Sequence, residues 1–219
     1  LLIGVSQENN HGKEAGYNAL TPGIAIGVDG WLFPDLQIGG SLGYTNSAVH
    51  WKKKRGDGRV HGVYGSVYSR LGSQVGFLES AVILGYDQYS TQRDIHIGGL
   101  LPINRSAKAN HYGLEASGHV KGAFQFPVEK TLLGPYASLD YQYQYEDSFD
   151  EHGAKSLNLD ISRKHANFIQ GEMGMDIAHC FHLDRKTLTP YIQVSGIGEK
   201  RFNGAKEESS LGGCSINVY

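Results

Sequence analysis

Residues 136–146 read Tyr136-Ala137-Ser138-Leu139-Asp140-Tyr141-Gln142-Tyr143-Gln144-Tyr145-Glu146. Ala137, Leu139, Tyr141, Tyr143 and Tyr145 fall in one phase, and Ser138, Asp140, Gln142, Gln144 and Glu146 in the other. Successive side chains of a strand point to opposite faces, so this segment has one apolar face and one polar face. A soluble barrel hides the apolar face inside. A membrane barrel turns it outward to lipid and keeps a polar interior.

The same period of two recurs along the chain. It predicts strands over 1–7, 23–32, 36–45, 60–70, 75–89, 111–124, 136–146, 167–179 and 188–198, with a further strand beginning at 216–219. Most are close to the roughly 9–11 residues that a tilted strand needs to cross a bilayer. Gly interrupts nearly every segment, which together with the period argues against helices. The connectors alternate in length. Stretches 33–35, 71–74, 127–131 and 181–187 are short, whereas 6–19, 46–59, 90–110, 147–166 and 199–215 are long and polar. Strict alternation places every long loop on one side of the sheet, as in outer-membrane barrels with short periplasmic turns and long external loops. A soluble lipocalin-like barrel has no reason to sort its loops this way.

Composition agrees with this reading. Of 219 residues, 40% are hydrophobic, and no run approaches the roughly 18 apolar residues expected of a membrane helix. Thirty Gly and 13 Tyr suit a crowded barrel wall and a membrane interface. A net charge of −2 gives no bias toward nucleic acid. No signal segment opens the chain at Leu1, so it reads as an excerpt whose export signal lies upstream.

Several short motifs, taken in order, resemble the translocator (β-barrel) domain of autotransporters, the type V secretion proteins of Gram-negative bacteria. They are Gly27-x-Asp29 followed by Gly40 to Tyr44, Gly62-Val63-Tyr64, and Tyr89-x-x-x-Arg93-x-Ile95. Leu133-x-Pro135-Tyr136-x-x-Leu139-x-Tyr141, Phe149-x-Glu151-x-Gly153 and Leu188-x-Pro190 continue the series. The resemblance implies an all-β, antiparallel, up-and-down transmembrane barrel of twelve strands. About ten are counted here, so 1–219 reads as one barrel domain truncated at both ends. It also implies residence in the bacterial outer membrane, insertion by the barrel assembly machinery, contact with outer-membrane lipid, and export of an N-terminal passenger to the cell surface. That family usually ends on an aromatic residue, and Tyr219 sits too early to be that terminus.

The strand phases assign faces to candidate residues. Asp29, Glu79, Glu115, His119, Lys121, Asp140, Glu146, Glu172 and Asp176 share the polar phase and would line a wet, mostly acidic lumen. Either that lumen holds a polypeptide during export, or its charges simply pair with one another. Tyr44, Tyr86, Tyr89, Phe124, Tyr143 and Tyr145, near strand ends, are expected to form an aromatic girdle at the lipid interface. The basic run Trp51-Lys52-Lys53-Lys54-Arg55 is a solvated external loop or a contact for anionic lipid or a polyanion.

No nucleophile elbow, phosphate loop or Cys-x-x-Cys is present, so neither an enzyme nor a cofactor is expected. His179-Cys180-x-His182 matches no tetrahedral metal spacing, and Cys180 and Cys214 are too few for a disulfide scaffold. Two alternatives stay open. One is a self-contained outer-membrane barrel, a porin, an adhesin or a surface hydrolase with Asp150, Glu151 and His152 at its rim. The other is a soluble barrel that binds a ligand.

Overall fold

The computed structural model describes residues 2–8, 16–99, 102–183, 186–202, 207–211 and 214–218. Its strands are β1 (Leu2–Gln7), β2 (Tyr17–Phe33), β3 (Leu36–Trp51), β4 (Gly56–Ser73), β5 (Gly76–Ile97), β6 (Ile103–Phe124), β7 (Phe126–Val128) and β8 (Thr131–Glu146). They continue with β9 (Phe149–Asp150), β10 (Leu159–Ile161), β11 (Lys164–His179), β12 (Phe181–Leu183), β13 (Lys186–Leu188), β14 (Tyr191–Phe202), β15 (Glu207–Leu211) and β16 (Cys214–Val218). One antiparallel sheet runs β1-β2-β3-β4-β5-β6-β8-β11-β14, with β7 added beside β8. Every neighbour in that path is the next long strand in the chain, which is the up-and-down order. No helix among the described residues is long and apolar enough to cross a membrane, which says nothing against crossing by strands.

Short turns lie at one end. Phe33 pairs with Leu36 around Pro34-Asp35, Ser73 with Gly76, and Val128 with Thr131. Each leaves two residues outside the ladder, the commonest hairpin length. Glu129 adopts φ 53°, as a tight hairpin requires, and the Ser73 hydroxyl donates to the Gly76 carbonyl at 3.1 Å.

At the other end the strands outrun the expectation. The stretches 46–59 and 90–110 are not loops. β3 continues to Trp51, and β5 and β6 each extend to 22 residues, pairing as far as Ile97 with Ile103. In these outer parts Ile95, Ile97, Ile103, Ala107 and Ala109 share one phase with Arg93 and Arg105, so the two-face contrast is lost while the ladder continues. The strand expected at 216–219 also differs. β16 pairs with β15, and β15 with β10, in a small separate sheet rather than joining the main one.

The apolar phase carries the molecule's exposed hydrophobic surface. Ile26, Val28 and Met173 are each more than 70% exposed, and Leu42, Val67, Leu84 and Leu139 belong to the same face. A soluble protein does not leave so large an apolar belt in water, so the soluble-barrel alternative fails.

Candidate functional site

Contacts between strands two apart identify the polar face as the concave one. The Tyr68 hydroxyl on β4 donates to Asp29 Oδ2 on β2 at 3.1 Å, reaching over β3 at Gly39. A Cβ on Gly39 would fall 2.4 Å from the Tyr68 ring. Likewise Tyr136 on β8 lies over Gly174 of β11, where a Cβ would come within 2.6 Å of the ring. Its hydroxyl donates to Glu172 Oε1 at 2.6 Å and accepts from Gln193 Nε2 of β14. Side chains of non-adjacent strands converge only on the inside of a curved sheet. Glycine on the intervening strand leaves room for the ring.

The candidate lumen residues are placed on this face, and most have partners. Asp29 also accepts from the Gln37 amide at 2.8 Å. Glu79 pairs with Arg70 at 3.1 Å, His119 Nδ1 with Asp140 at 2.6 Å, and Glu115 accepts from Gln144 Nε2 at 2.7 Å. Lys121 Nζ sits 4.4 Å from the centre of the Tyr136 ring. Glu146 is 4.0 Å from His111 Nε2, and Asp176 Oδ1 is buried without a hydrogen-bond partner among the described residues. The acids therefore form local pairs with Arg70, His119 and neutral donors rather than one continuous anionic strip.

Sequence reasoning left out the side chains that organise this face. Tyr64, Tyr68, Tyr136 and Arg70 were not candidates, although each lies in the polar phase. Asp87 lies in the same phase; it is 1% exposed and accepts from the Tyr64 hydroxyl at 2.9 Å. An aromatic in the polar phase opposite a glycine is the signal that would have found the tyrosines.

Five of the six residues expected in an aromatic girdle, Tyr44, Tyr86, Phe124, Tyr143 and Tyr145, share the apolar phase of the sheet. Tyr86 stacks on Tyr112 with ring centres 5.7 Å apart, Phe124 on Phe126 at 6.2 Å, and Tyr44, Tyr141 and Tyr86 are exposed on the apolar face. Tyr143 and Tyr145 share the phase of Tyr141 and are half-buried. Tyr89 does not join them. It is an odd-numbered residue of β5, in phase with Glu79 and Asp87, and it stacks on buried His111 at 4.7 Å. Its place near the end of the expected strand, not its phase, put it in the girdle.

At the end with the long hairpins, the segment from β9 to β10 folds back onto β5 and β6. Phe149 stacks on the other face of His111 at 4.0 Å. Lys108 and His152 exchange two backbone hydrogen bonds of 2.8 Å, and Arg105 Nη1 donates to the Ala154 carbonyl at 2.9 Å. Glu151 takes Arg93 and the Leu159 amide, so its carboxylate is held in the wall rather than presented at the rim. Gly153 turns the segment with φ +103°, where a Cβ would strike the Ser106 carbonyl at 2.7 Å. Two of the sequence motifs, Tyr89-x-x-x-Arg93 and Phe149-x-Glu151-x-Gly153, thus meet in one contact.

Among the described residues, no group of three metal-ligating side chains occurs. His179 is instead hydrogen-bonded to Thr131 at 2.8 Å. The side chains of His182 and Cys214 lie outside the described residues.

The family model described as the autotransporter β-domain matches residues 2–213. Outer membrane protein A of Rickettsia conorii is 24% identical over 204 residues, covering 87% of this chain and 10% of that protein. Outer membrane protein B of Rickettsia typhi is 22% identical over 217 residues, covering 95% of this chain and 13% of that protein. The chain therefore spans about a tenth of the length of these curated relatives. Among solved structures, the β domain of the Bordetella autotransporter BrkA matches with a TM-score of 0.60 at 19% identity, covering 88% of this chain and 76% of that one. The translocator domain of NalP from Neisseria meningitidis matches with a TM-score of 0.59 at 13% identity, covering 91% and 76%. At such identities these two likenesses speak for the fold. The family match, with the curled up-and-down sheet and its outward apolar belt, leads to one conclusion: the chain belongs to the autotransporter β-domain family and is a translocator-type barrel of the bacterial outer membrane.

Proposed function

We propose that this chain anchors a passenger polypeptide, carried N-terminal to it, and helps move it to the cell surface. What carries the reading is one sheet with a polar concave face and an apolar convex face, in a chain that belongs to the autotransporter β-domain family. Translocator domains of this kind are typically non-catalytic, and we read this one the same way. Residues 1–219 act as a single domain. Asp29, Glu79, Glu115, His119, Lys121, Asp140, Glu146, Glu172 and Asp176 line a hydrated passage. Tyr44, Tyr86, Phe124, Tyr143 and Tyr145 meet lipid at the interface. An open sheet edge in hydrocarbon costs several kcal/mol for each unpaired backbone group, so β1 and β14 need partner strands for closure. The barrel assembly machinery is the partner that inserts the protein.

The test is surface display. The full-length protein carries an epitope far upstream of Leu1, and intact cells are treated with protease. Loss of the epitope from intact cells supports export. An epitope that stays protected while the barrel assembles normally overturns it.

A further inference from the structure

The end of the barrel with the long hairpins contains a cavity of about 750 Å³, lined by Trp51, Lys53, Arg55, Gln92, Phe149 and Ile161 among others. We propose that it is a binding site for an anionic saccharide, reached from the cell exterior. This holds with or without passenger export.

Three features of the cavity select that chemistry. The first is a flat aromatic platform. A Cβ on Gly58 would lie 3.0 Å from the Trp51 ring, so the indole rests on the backbone of β4 while it lines the cavity. A flat indole face packs well against the C–H face of a pyranose ring.

The second is the charge. The turn 52–55 carries three lysines and an arginine, and Lys53 is held at φ 62°, a conformation that side chains other than Gly rarely take. Among the described residues no carboxylate pairs with Lys53. The charged side chains at the cavity are Lys53, Arg55 and Arg93 against Asp94 and Glu151, with Glu151 paired to Arg93. The surplus is positive and suits a sulfate, phosphate or carboxylate substituent.

The third is the mixture of walls. Phe149 and Ile161 are apolar, while Thr91 and Gln92 offer polar groups. The volume falls in the roughly 300–1,000 Å³ range of small-ligand sites. An apolar ligand would leave the Lys53 ammonium unpaired, and a bare inorganic anion would leave the Trp51 platform empty. Sugars that carry acidic groups are also what an outward-opening mouth meets at a cell surface.

Binding is measured on the full-length protein in detergent by tryptophan fluorescence titration. Three probes are used: a sulfated heparin disaccharide, a delipidated phosphorylated core oligosaccharide of lipopolysaccharide, and neutral maltose. Saturable binding of either anionic probe, with none of maltose, is expected. Affinity should fall at least tenfold in Lys53→Glu and, followed by calorimetry, in Trp51→Ala, while Lys53→Arg and Trp51→Phe stay within about threefold. Folding of each variant is checked by heat-modifiable electrophoretic mobility. The probe that binds tells whether the natural source is a host glycan or the bacterium's own surface. Absence of saturable anionic binding, equal binding of maltose, or parent-like affinity in Lys53→Glu overturns the proposal.

Discussion

Arg93 and Glu151, 58 residues apart in sequence, form a two-pronged ion pair: Nε donates to Oε1 at 2.8 Å and Nη2 to Oε2. Arg93 Nη2 also donates to the Leu157 carbonyl at 3.0 Å. The pair pins the segment between β9 and β10 onto the extension of β5.

The pair is unequal in burial, and that predicts unequal mutants. The Glu151 side chain is 8% exposed and that of Arg93 39%. Arg93→Ala leaves a buried carboxylate with only the Leu159 amide, at a cost of about 2–3 kcal/mol. Glu151→Ala leaves an arginine that water can reach, costing about 1 kcal/mol. Protease cleavage after Lys155 or Arg163 in intact cells reports the loosening. It should rise more in Arg93→Ala than in Glu151→Ala while the barrel stays assembled. The reverse order would refute this account.

Phe149→Ala tests the second fastening of the same segment. It removes the ring that stacks on His111, worth about 0.5–1.5 kcal/mol beyond burial. Cleavage in the segment should increase, and membrane assembly should be unchanged. Tyr89→Ala removes the ring on the other side of His111 and should act in the same direction. A Tyr89→Ala variant that instead behaves like Tyr86→Ala, with weakened membrane retention alone, would return Tyr89 to the girdle.

Gly174 and Gly171 lie on one strand and face opposite ways. A Cβ on Gly174 meets the Tyr136 ring, whereas one on Gly171 meets nothing within 4 Å. Gly174→Ala should therefore cost about 1–3 kcal/mol through overpacking, and Gly171→Ala should stay within about 0.5 kcal/mol. The folded fraction from urea titration in detergent separates them. Tyr136→Ala combined with Gly174→Ala should be less harmful than the sum of the two single changes.

Leu139→Arg and Asp140→Asn test the face assignment at adjacent positions. An arginine on the lipid face at mid-bilayer costs about 2–4 kcal/mol, so Leu139→Arg should lose stable assembly. Asp140→Asn keeps an oxygen that can accept from His119 and should assemble like the parent. Equal yields of the two variants in the outer-membrane fraction would contradict the assignment.

Much of the architecture is legible in single residues. Leu139 beside Asp140, and Met173 beside Glu172, announce the two faces, because membrane crossing demands strict alternation. Pro34-Asp35 announces a tight turn, because proline presets a turn φ and aspartate bonds to the turn backbone. The outer halves of β5 and β6 were not legible. Within 90–110, Ile95, Ile97 and Ile103 share a phase with Arg93 and Arg105, so side-chain hydropathy marks no two faces along a ladder held by backbone hydrogen bonds. The pairing of Lys108 with His152 was hidden for the same reason.

Sequence alone determined that this is a barrel with apolar and polar faces and with its loops sorted to two ends, because strand period and connector length are local properties of the chain. Which face is concave, which tyrosine rests over which glycine, and that Arg93 meets Glu151 were decided only by the tertiary structure. Those contacts join strands and loops far apart in sequence, and they depend on the curvature of the sheet, which no local pattern encodes.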